Sequence, residues 1–217
     1  MLTDEIRIEN QKKFIDLINS IERKDFQKEK LINKLMLSDF FDAPASTKYH
    51  NAFAGGLVDH ALNVYYNLVS LVERKGLSDK ISSDSIKIVG LLCDISKINF
   101  YKVTYKNEKR YSDYGTKRDE GGRYDWVSVK GYSVADDSER FIYGNHEETS
   151  EYMVRSLVPL TYVESIAILH HHGGVGSDFI GDNIPTIFAR YPLAMLLHNA
   201  DMLATYVDDY KNVEPIY

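Results

Sequence analysis

The sequence predicts a mainly α-helical bundle that carries one small β-hairpin insertion. Apolar residues recur at helical spacing along most of the chain. Between about residues 98 and 144 this spacing is lost, and aromatic and β-branched residues alternate instead. With 217 residues, of which 44% are hydrophobic, the chain has the length of one domain with an insertion and can bury a substantial core.

The N-terminal region, residues 1–42, is predicted to form helices that pack on the core. An apolar stripe at helical spacing extends over residues 1–38. The polar stretch 22–30 within it is either a break or a solvated helix face, and we expect the solvated face. Residues 43–210 then form the core domain, and residues 211–217 form a tail.

Two central helices are predicted to be buried and to carry polar side chains into the core. In the first, residues 57–74, His60 borders the apolar stripe and therefore faces inward. The second, about residues 83–97, begins at a capping serine or aspartate and is apolar nearly all round. Because an unpaired buried carboxylate is costly, Asp94 in this helix needs a charged partner or a metal ion.

The insertion at about 98–144 is predicted to be a β-hairpin. Its alternating segments are residues 100–105 and 124–129, and the polar stretch 107–123 between them is predicted to be a long, mobile loop. The hairpin aromatics have two interpretations that the residues leave open. They either cover a bound substrate or only pack the hairpin onto the helices.

Helix is predicted to resume after the insertion, in a region rich in histidine. Asn145 and Thr161 each begin a capping-box pattern. The first pattern places His146 in an opening helical turn, and the second begins a helix that runs into His170–His172.

The last predicted helix spans about residues 191–207 and has Pro192 near its start. A loop with few apolar residues, 174–185, is expected before it. Three polar residues share one face of this helix: His198, Asp201 and Thr205.

Charge and composition limit the partners that we expect. The net charge of −6 and the pI of about 5.6 disfavour a protein that binds duplex DNA, but they do not exclude binding of short single strands. Cys93 is the only cysteine, which fits a reducing cytoplasm. No signal peptide is visible, and the apolar runs are too short to cross a bilayer. We therefore expect a cytoplasmic protein without a membrane partner. The sequence is compatible with a homodimer.

Histidines and aspartates in four predicted helical regions form a candidate metal site. They are His60, Asp94, His146 with His170–His172, and His198 with Asp201. A lone histidine on an apolar face is usually a core residue, so the combination with a buried acid carries the prediction. Helical bundles build metal sites from side chains on facing helices, and this donor set suits a divalent ion of the Mn, Fe, Zn or Ni kind.

Five sequence segments with these residues occur in a recognisable order. They are Pro44–His50 with Gly55–His60, Leu91–Lys97, Asn145–Glu148, Ile168–Gly174 and Leu196–Asp201. In this order they resemble the motifs of HD-domain metal-dependent phosphohydrolases, especially a subgroup of phages and Gram-positive bacteria. The resemblance spans about residues 40–208 and implies an HD-type helical bundle. An insertion is also expected in this subgroup, although it aligns poorly.

The resemblance implies a set of ligands for one or two divalent ions, for which Mg is a further candidate. The implied metal ligands are His60, Asp94, His146, His171 and Asp201, with Asp94 bridging two ions. His171 is preferred within the triplet because the following two glycines fix the register. His170 and His172 then lie outside the ligand set, and His172 is expected towards the substrate. Lys97 matches a family lysine that meets a phosphate oxygen; on its own it is equally a cation at a helix end.

Cys93 occupies the position where the resemblance calls for histidine. Three interpretations are open. Its thiolate coordinates a soft or borderline ion as a further ligand, it fills apolar space while the other ligands hold the metal, or the site is degenerate and only binds a nucleotide.

The resemblance implies a hydrolase that acts on a nucleotide or a related phosphomonoester or phosphodiester through metal-activated water. Asp94 and Lys97 are the expected catalytic residues. The alternative is a weakened HD domain that binds a nucleotide or signal molecule without turnover. A third hypothesis is a structural protein whose histidines are merely packed, which predicts that the purified protein contains no metal.

Overall fold

Helices form the body of the protein, and a three-stranded sheet is inserted between them. The computed structural model describes residues 2–174 and 183–209. Most of the predicted loop 174–185 and the whole predicted tail 211–217 lie outside the described residues. The elements are α1 (Asp4–Asn19), α2 (Lys28–Met36), α3 (Gly56–Arg74), α4 (Ser83–Leu92), a 3-10 turn (Ile95–Lys97), β1 (Tyr101–Tyr111), β2 (Lys117–Asp119), β3 (Gly122–Val134), α5 (His146–Arg155), α6 (Tyr162–Leu169), α7 (Ile184–Arg190), α8 (Pro192–Leu203) and a π-helical turn (Ala204–Asp208).

The predicted fold class, a mainly α bundle with a small hairpin, is wrong. About half of the chain is helical, and the insertion is an antiparallel sheet of three strands, which makes the fold mixed α and β. The strand order is β1-β3-β2, and β1 pairs with β3 from Tyr101↔Val134 to Tyr111↔Tyr124. The stretch 107–123, predicted to be a loop, supplies the outer half of β1 and all of β2. Its side chains are mostly exposed, so the apolar alternation that marks a half-buried strand is missing there.

The N-terminal helix is interrupted, contrary to the prediction that 22–30 is a solvated helix face. Helix α1 ends at Asn19, and α2 starts only at Lys28. Arg23 lies in the break, where its guanidinium donates to both carboxylate oxygens of Glu164 at 2.6 and 2.8 Å. The break thus places a counter-charge beside this buried carboxylate.

Helix α3 is the central element of the body, packed against α4 and α8. Its start is fixed by two glycines: Gly55 has a left-handed φ of 81°, and a Cβ on Gly56 would lie 2.0 Å from the carbonyl oxygen of Asn51. Gly90 of α4 passes the backbone of Tyr65 so closely that a Cβ would lie 3.0 Å from its Cα. This close approach brings together the helices that carry His60 and precede Asp94.

The second central helix ends earlier than predicted. Regular helix stops at Leu92 rather than near residue 97, and Asp94 has φ −103° and ψ 15°, outside the α-helical region. The amide of Ser96 hydrogen-bonds to Ser150 Oγ of α5 at 3.3 Å instead of continuing the helix. The break places Asp94 and the 3-10 turn beside α5.

The two capping boxes of the C-terminal region are confirmed. The side chains of Asn145 and Thr161 each accept from the amide three residues later, and each glutamate at that position bonds back. Helix α6 ends at Leu169, however, so the histidine triplet lies in the turn after it. The last helix changes to a π-helical turn at Ala204 and does not continue as regular α-helix to residue 207.

The described helices include none that is both long enough and apolar enough to cross a membrane.

Candidate metal centre

Side chains from four separate parts of the chain converge on the carboxylate of Asp94, which is 3% exposed. Its Oδ1 atom lies 2.6 Å from His146 Nε2 and 3.6 Å from His171 Nε2. Its Oδ2 atom lies 3.1 Å from His60 Nε2 and 2.8 Å from Lys97 Nζ. The structure therefore brings the predicted residues of α3, the 3-10 turn, α5 and the turn after α6 to one point.

Asp201 of α8 completes the cluster from the other side of His60. Its Oδ1 atom lies 3.1 Å from His60 Nε2, and its Oδ2 atom lies 3.9 Å from His172 Nε2. Two groups of donors whose ligand atoms all lie within 4.8 Å of one another share Asp94. They are His60 with Asp94 and Asp201, and Asp94 with His146, His171 and His172.

The four histidines of the two donor groups bond through Nδ1 and direct Nε2 towards the carboxylates of the centre; His198, which belongs to neither group, also bonds through Nδ1. The Nδ1 partners are Asp209 Oδ2 for His60, Ser96 Oγ for His146, the Ile168 carbonyl for His171, Glu147 Oε1 for His172 and the His171 carbonyl for His198, all between 2.6 and 2.8 Å. A carbonyl oxygen can only accept, so His171 and His198 carry a proton on Nδ1. Partners of this kind fix the tautomer and ring orientation that a metal-binding Nε2 requires.

His171 gives the most direct indication that a ligand is needed here. Its side chain is fully buried, and its Nε2 atom has no hydrogen-bond partner among the described residues. The nearest carboxylate oxygen, Asp94 Oδ1, is 3.6 Å away, which is too far for a hydrogen bond. Because a buried polar atom without a partner is costly, this nitrogen fits a metal ligand better than a packed core group.

Three buried carboxylates surround His60 and govern its electrostatics. Asp94, Asp201 and Asp209 are all at most 5% exposed, and all three contact His60. Burial opposes a charge on His60, but hydrogen bonds to Asp201, Asp209 and Asp94 outweigh it and hold its pKa well above 6.5. In the absence of an ion, a protonated imidazole thus supplies the positive charge that the carboxylates need.

Two further groups have protonation states that suit the centre. Burial would raise the pKa of Asp94, but Lys97 and the surrounding histidines keep it well below 3.8. Burial lowers the pKa of His146 to about 4, against the effect of its hydrogen bond to Asp94. At neutral pH Asp94 is therefore an anion and His146 a neutral imidazole, the forms in which both side chains bind metals.

Cys93 does not share in the cluster. Its side chain is 1% exposed within the apolar core, and its Sγ atom makes one weak contact, at 4.0 Å, to the carbonyl of Gly90. Burial raises the pKa of the thiol well above 9.0. A protonated, buried thiol behaves as a small apolar side chain, which favours the interpretation of Cys93 as a filler.

Three polar residues next to the cluster were not predicted as site residues. Asp209 and Glu147 orient two of the imidazoles, and His50 lies with its ring 5.0 Å from that of His60. Asp209 had a signal in the sequence, since it follows Asp201 and Thr205 at steps of four on one helix face. Glu147 and His50 lie in two of the five motif segments, but their roles depend on contacts between distant segments that the sequence does not show.

A cavity of about 780 Å³ opens beside the cluster. It is lined by Tyr49, His50, His172, His198, Asp201, Met202, Thr205 and Tyr206. Burial lowers the pKa of His50 to about 4, and its Nε2 atom has no hydrogen-bond partner among the described residues. The cavity therefore presents neutral imidazole and aromatic groups to a ligand that touches Asp201.

Neither protein-family models, nor curated proteins, nor solved structures give a match to this chain. The imidazole and carboxylate groups of the site are therefore the indication of its chemistry. Imidazole and carboxylate ligands favour a divalent ion such as Mn, Fe, Zn or Ni, and Asp94 has an oxygen in reach of both donor groups. Such a centre, beside an accessible cavity, has the components of metal-assisted hydrolysis.

Proposed function

We propose that the protein is a metal-dependent phosphohydrolase of the HD-domain type. Its substrate is a nucleotide or a related phosphomonoester or phosphodiester, and its location is the cytoplasm, where its one buried thiol stays reduced. The observation that carries the proposal is the fully buried His171, whose Nε2 faces Asp94 and has no hydrogen-bond partner in the part of the chain that the structure describes. The order of the five motifs along the chain agrees with the same class of enzyme.

His60, Asp94 and Asp201 would hold one ion, and Asp94, His146 and His171 a second. When bound, the divalent ions supply a water of lowered pKa and neutralise charge on the phosphoryl group. Lys97 Nζ donates to Asp94 Oδ2 at 2.8 Å and is 11% exposed, so it can also donate to a phosphoryl oxygen. His172, whose side chain is 33% exposed and lines the cavity, contacts the substrate.

Cys93, which stands where the resemblance calls for histidine, is the ground for a second candidate function. If the missing histidine ligand weakens metal binding, the same pocket holds a nucleotide or signal molecule without turnover. The specific observation that favours this alternative is that the buried Cys93 belongs to neither of the two donor groups that share Asp94.

One experiment separates the two functions. Wild type, Asp94→Ala and Cys93→His are stripped with chelator, reloaded with Mn²⁺ and assayed on p-nitrophenyl phosphate, its diester and a nucleotide panel. Hydrolysis by wild type that falls on the order of 10³-fold in Asp94→Ala supports the enzyme. The matched control is Asp136→Ala, an exposed carboxylate paired with Lys102, which we expect to stay within twofold of wild type.

Activity that arises only in Cys93→His supports the binding module instead. A metal-loaded wild type that is inert toward the whole panel, and that Cys93→His does not activate, contradicts the hydrolase. Nucleotide binding by the inert protein, measured by calorimetry, would then still support the binder.

A further inference from the structure

One face of the inserted sheet is lined with aromatic side chains. Because β1 and β3 pair in the register Tyr105↔Lys130 and Lys109↔Trp126, alternate residues of the two strands share this face. We call it the aromatic face; its rings are Tyr101, Tyr105, Tyr111, Tyr124, Trp126 and Tyr132. The opposite face of the described strands carries no aromatic ring.

These rings are exposed beyond what packing of the sheet requires. At the base of the sheet, next to the helical body, Tyr132 is buried, with 8% of its surface exposed. Further out, Tyr105 is 71% exposed, and Tyr111 and Trp126 are each about half exposed. The described parts of the chain leave this outer half of the face uncovered, and large exposed aromatic patches usually mark a binding surface.

Positive charge is interleaved with the rings. Lys109 Nζ lies 4.5 Å from the centre of the Tyr124 ring and 5.8 Å from that of Trp126, and Lys130 Nζ lies 5.8 Å from Tyr132. Asp119 is the carboxylate of this face, and its Oδ2 atom accepts from both Lys109 and Tyr111. Residues 101–134 contain eight Lys and Arg against five Asp and Glu, although the whole chain has a net charge of −6.

We propose that the aromatic face binds single-stranded nucleic acid. Bases stack on exposed rings without sequence preference, and lysines between the rings meet the phosphates. In a duplex the bases are stacked on one another and are not available to the protein rings, so a duplex would contact only the lysines. The exposed rings therefore favour an unpaired strand. From Val103 to Tyr111 the face extends about 26 Å at the usual rise of a strand, which gives room for several nucleotides. This binding does not depend on the metal centre or on its chemistry.

The test uses the full-length Asp94→Ala protein, so that hydrolysis cannot remove the probe. Fluorescence anisotropy measures binding of labelled dT12 and of a mixed-sequence 12-mer RNA at 50 and 200 mM salt. We expect binding of both strands, and at least tenfold weaker binding when Tyr105→Ala and Trp126→Ala are added. With two or three lysine–phosphate contacts, the logarithm of the affinity should fall with that of salt at a slope of about −1.4 to −2.1.

Two control variants separate stacking from other causes. Tyr114→Ala removes a 93% exposed ring from the loop between β1 and β2, and Lys106→Ala removes a cation from the opposite face. Both should bind within about threefold of the parent, and circular dichroism should show every variant folded. Absence of binding at 100 µM protein and 50 mM salt overturns the proposal, as does binding that survives Tyr105→Ala with Trp126→Ala. A dimer in light scattering that Trp126→Ala dissociates would assign the face to a second copy instead.

Discussion

At the scale of single residues, the site depends on which imidazole nitrogen each histidine leaves free. His60 was predictable as inward-facing from the apolar residues around it, whereas His171 was preferred within its triplet only on the two glycines that follow. The orientations of both rings were not predictable, because they are set by Asp209 and by the Ile168 carbonyl, which only the folded chain brings into place. Contacts that only the folded chain shows also bear on the three roles that the sequence left open for Cys93: its burial in the core, in neither donor group, disfavours the role of metal ligand.

Asp209 is predicted to position His60 for metal binding. Its carboxylate accepts from His60 Nδ1 at 2.6 Å and is itself held by Asn63 at 2.7 Å. Replacing it by asparagine removes the charge that makes His60 a strong donor, and we expect affinity for Mn²⁺ or Zn²⁺ to fall by about 10- to 100-fold. Isothermal titration of the metal into chelator-treated protein measures this directly.

The neighbouring residue supplies a matched control for Asp209→Asn. Asp208 is exposed and bonds to Asn67 rather than to a histidine. Asp208→Asn should therefore leave metal affinity unchanged. Equal affinities for both variants and wild type would show that Asp209 is a packing residue only.

At the scale of elements, helices with a buried apolar stripe and a capping signal were predicted to within a few residues. Helices α3, α5 and the start of α6 belong to this group. The outer half of β1, strand β2 and the break between α1 and α2 were missed, since none of them follows from local pattern. The outer sheet is exposed on both faces, and the break exists because Arg23 reaches Glu164, which is 141 positions away.

The ion pair between Arg23 and Glu164 is predicted to stabilise the junction of α1, α2 and α6. Burial would raise the pKa of Glu164, but its hydrogen bonds with Arg23 and the Thr161 amide leave it lowered. A lowered folded-state pKa adds stability above the unfolded pKa of about 4.3, and this is lost as pH falls through the folded value. Arg23→Ala, which leaves a buried carboxylate unpaired, should cost about 3 kcal/mol at pH 7.

The pH dependence separates the ion pair from simple loss of packing. In urea unfolding, the difference in free energy of unfolding between wild type and Glu164→Gln should be largest at pH 7 and should decrease below about pH 4. Glu9→Gln, which breaks an exposed pair with Lys13 on α1, should change stability little at any pH. A difference for Glu164→Gln that stays constant down to pH 3 would contradict an ionic contribution.

At the scale of the whole molecule, the order of histidines and aspartates along the chain predicted that they would meet, and they do. The sequence could not predict the backbone geometry that brings these side chains together. The helix ahead of Asp94 ends early, and the π-helical turn after α8 lets the next residue, Asp209, reach back to His60. Both are irregularities of the backbone that tertiary contacts stabilise, and π-helical turns are often found at functional sites.

The same arrangement predicts that a divalent ion stabilises the entire fold. The ligands come from α3, from Asp94 two residues after α4, from α5, from the turn after α6 and from α8. An ion bound to them therefore joins elements that unfolding must separate. An ion that binds only the folded protein adds about 2.7 kcal/mol at a concentration 100 times its dissociation constant. For a chain of this size the melting temperature should then rise by roughly 5–11 °C. Differential scanning fluorimetry with Mn²⁺, Zn²⁺ and Mg²⁺, each after chelator treatment, measures the shift. Asp201→Asn should lose most of it and Asp136→Asn none, whereas a chain whose histidines are only packed would show no shift for any ion.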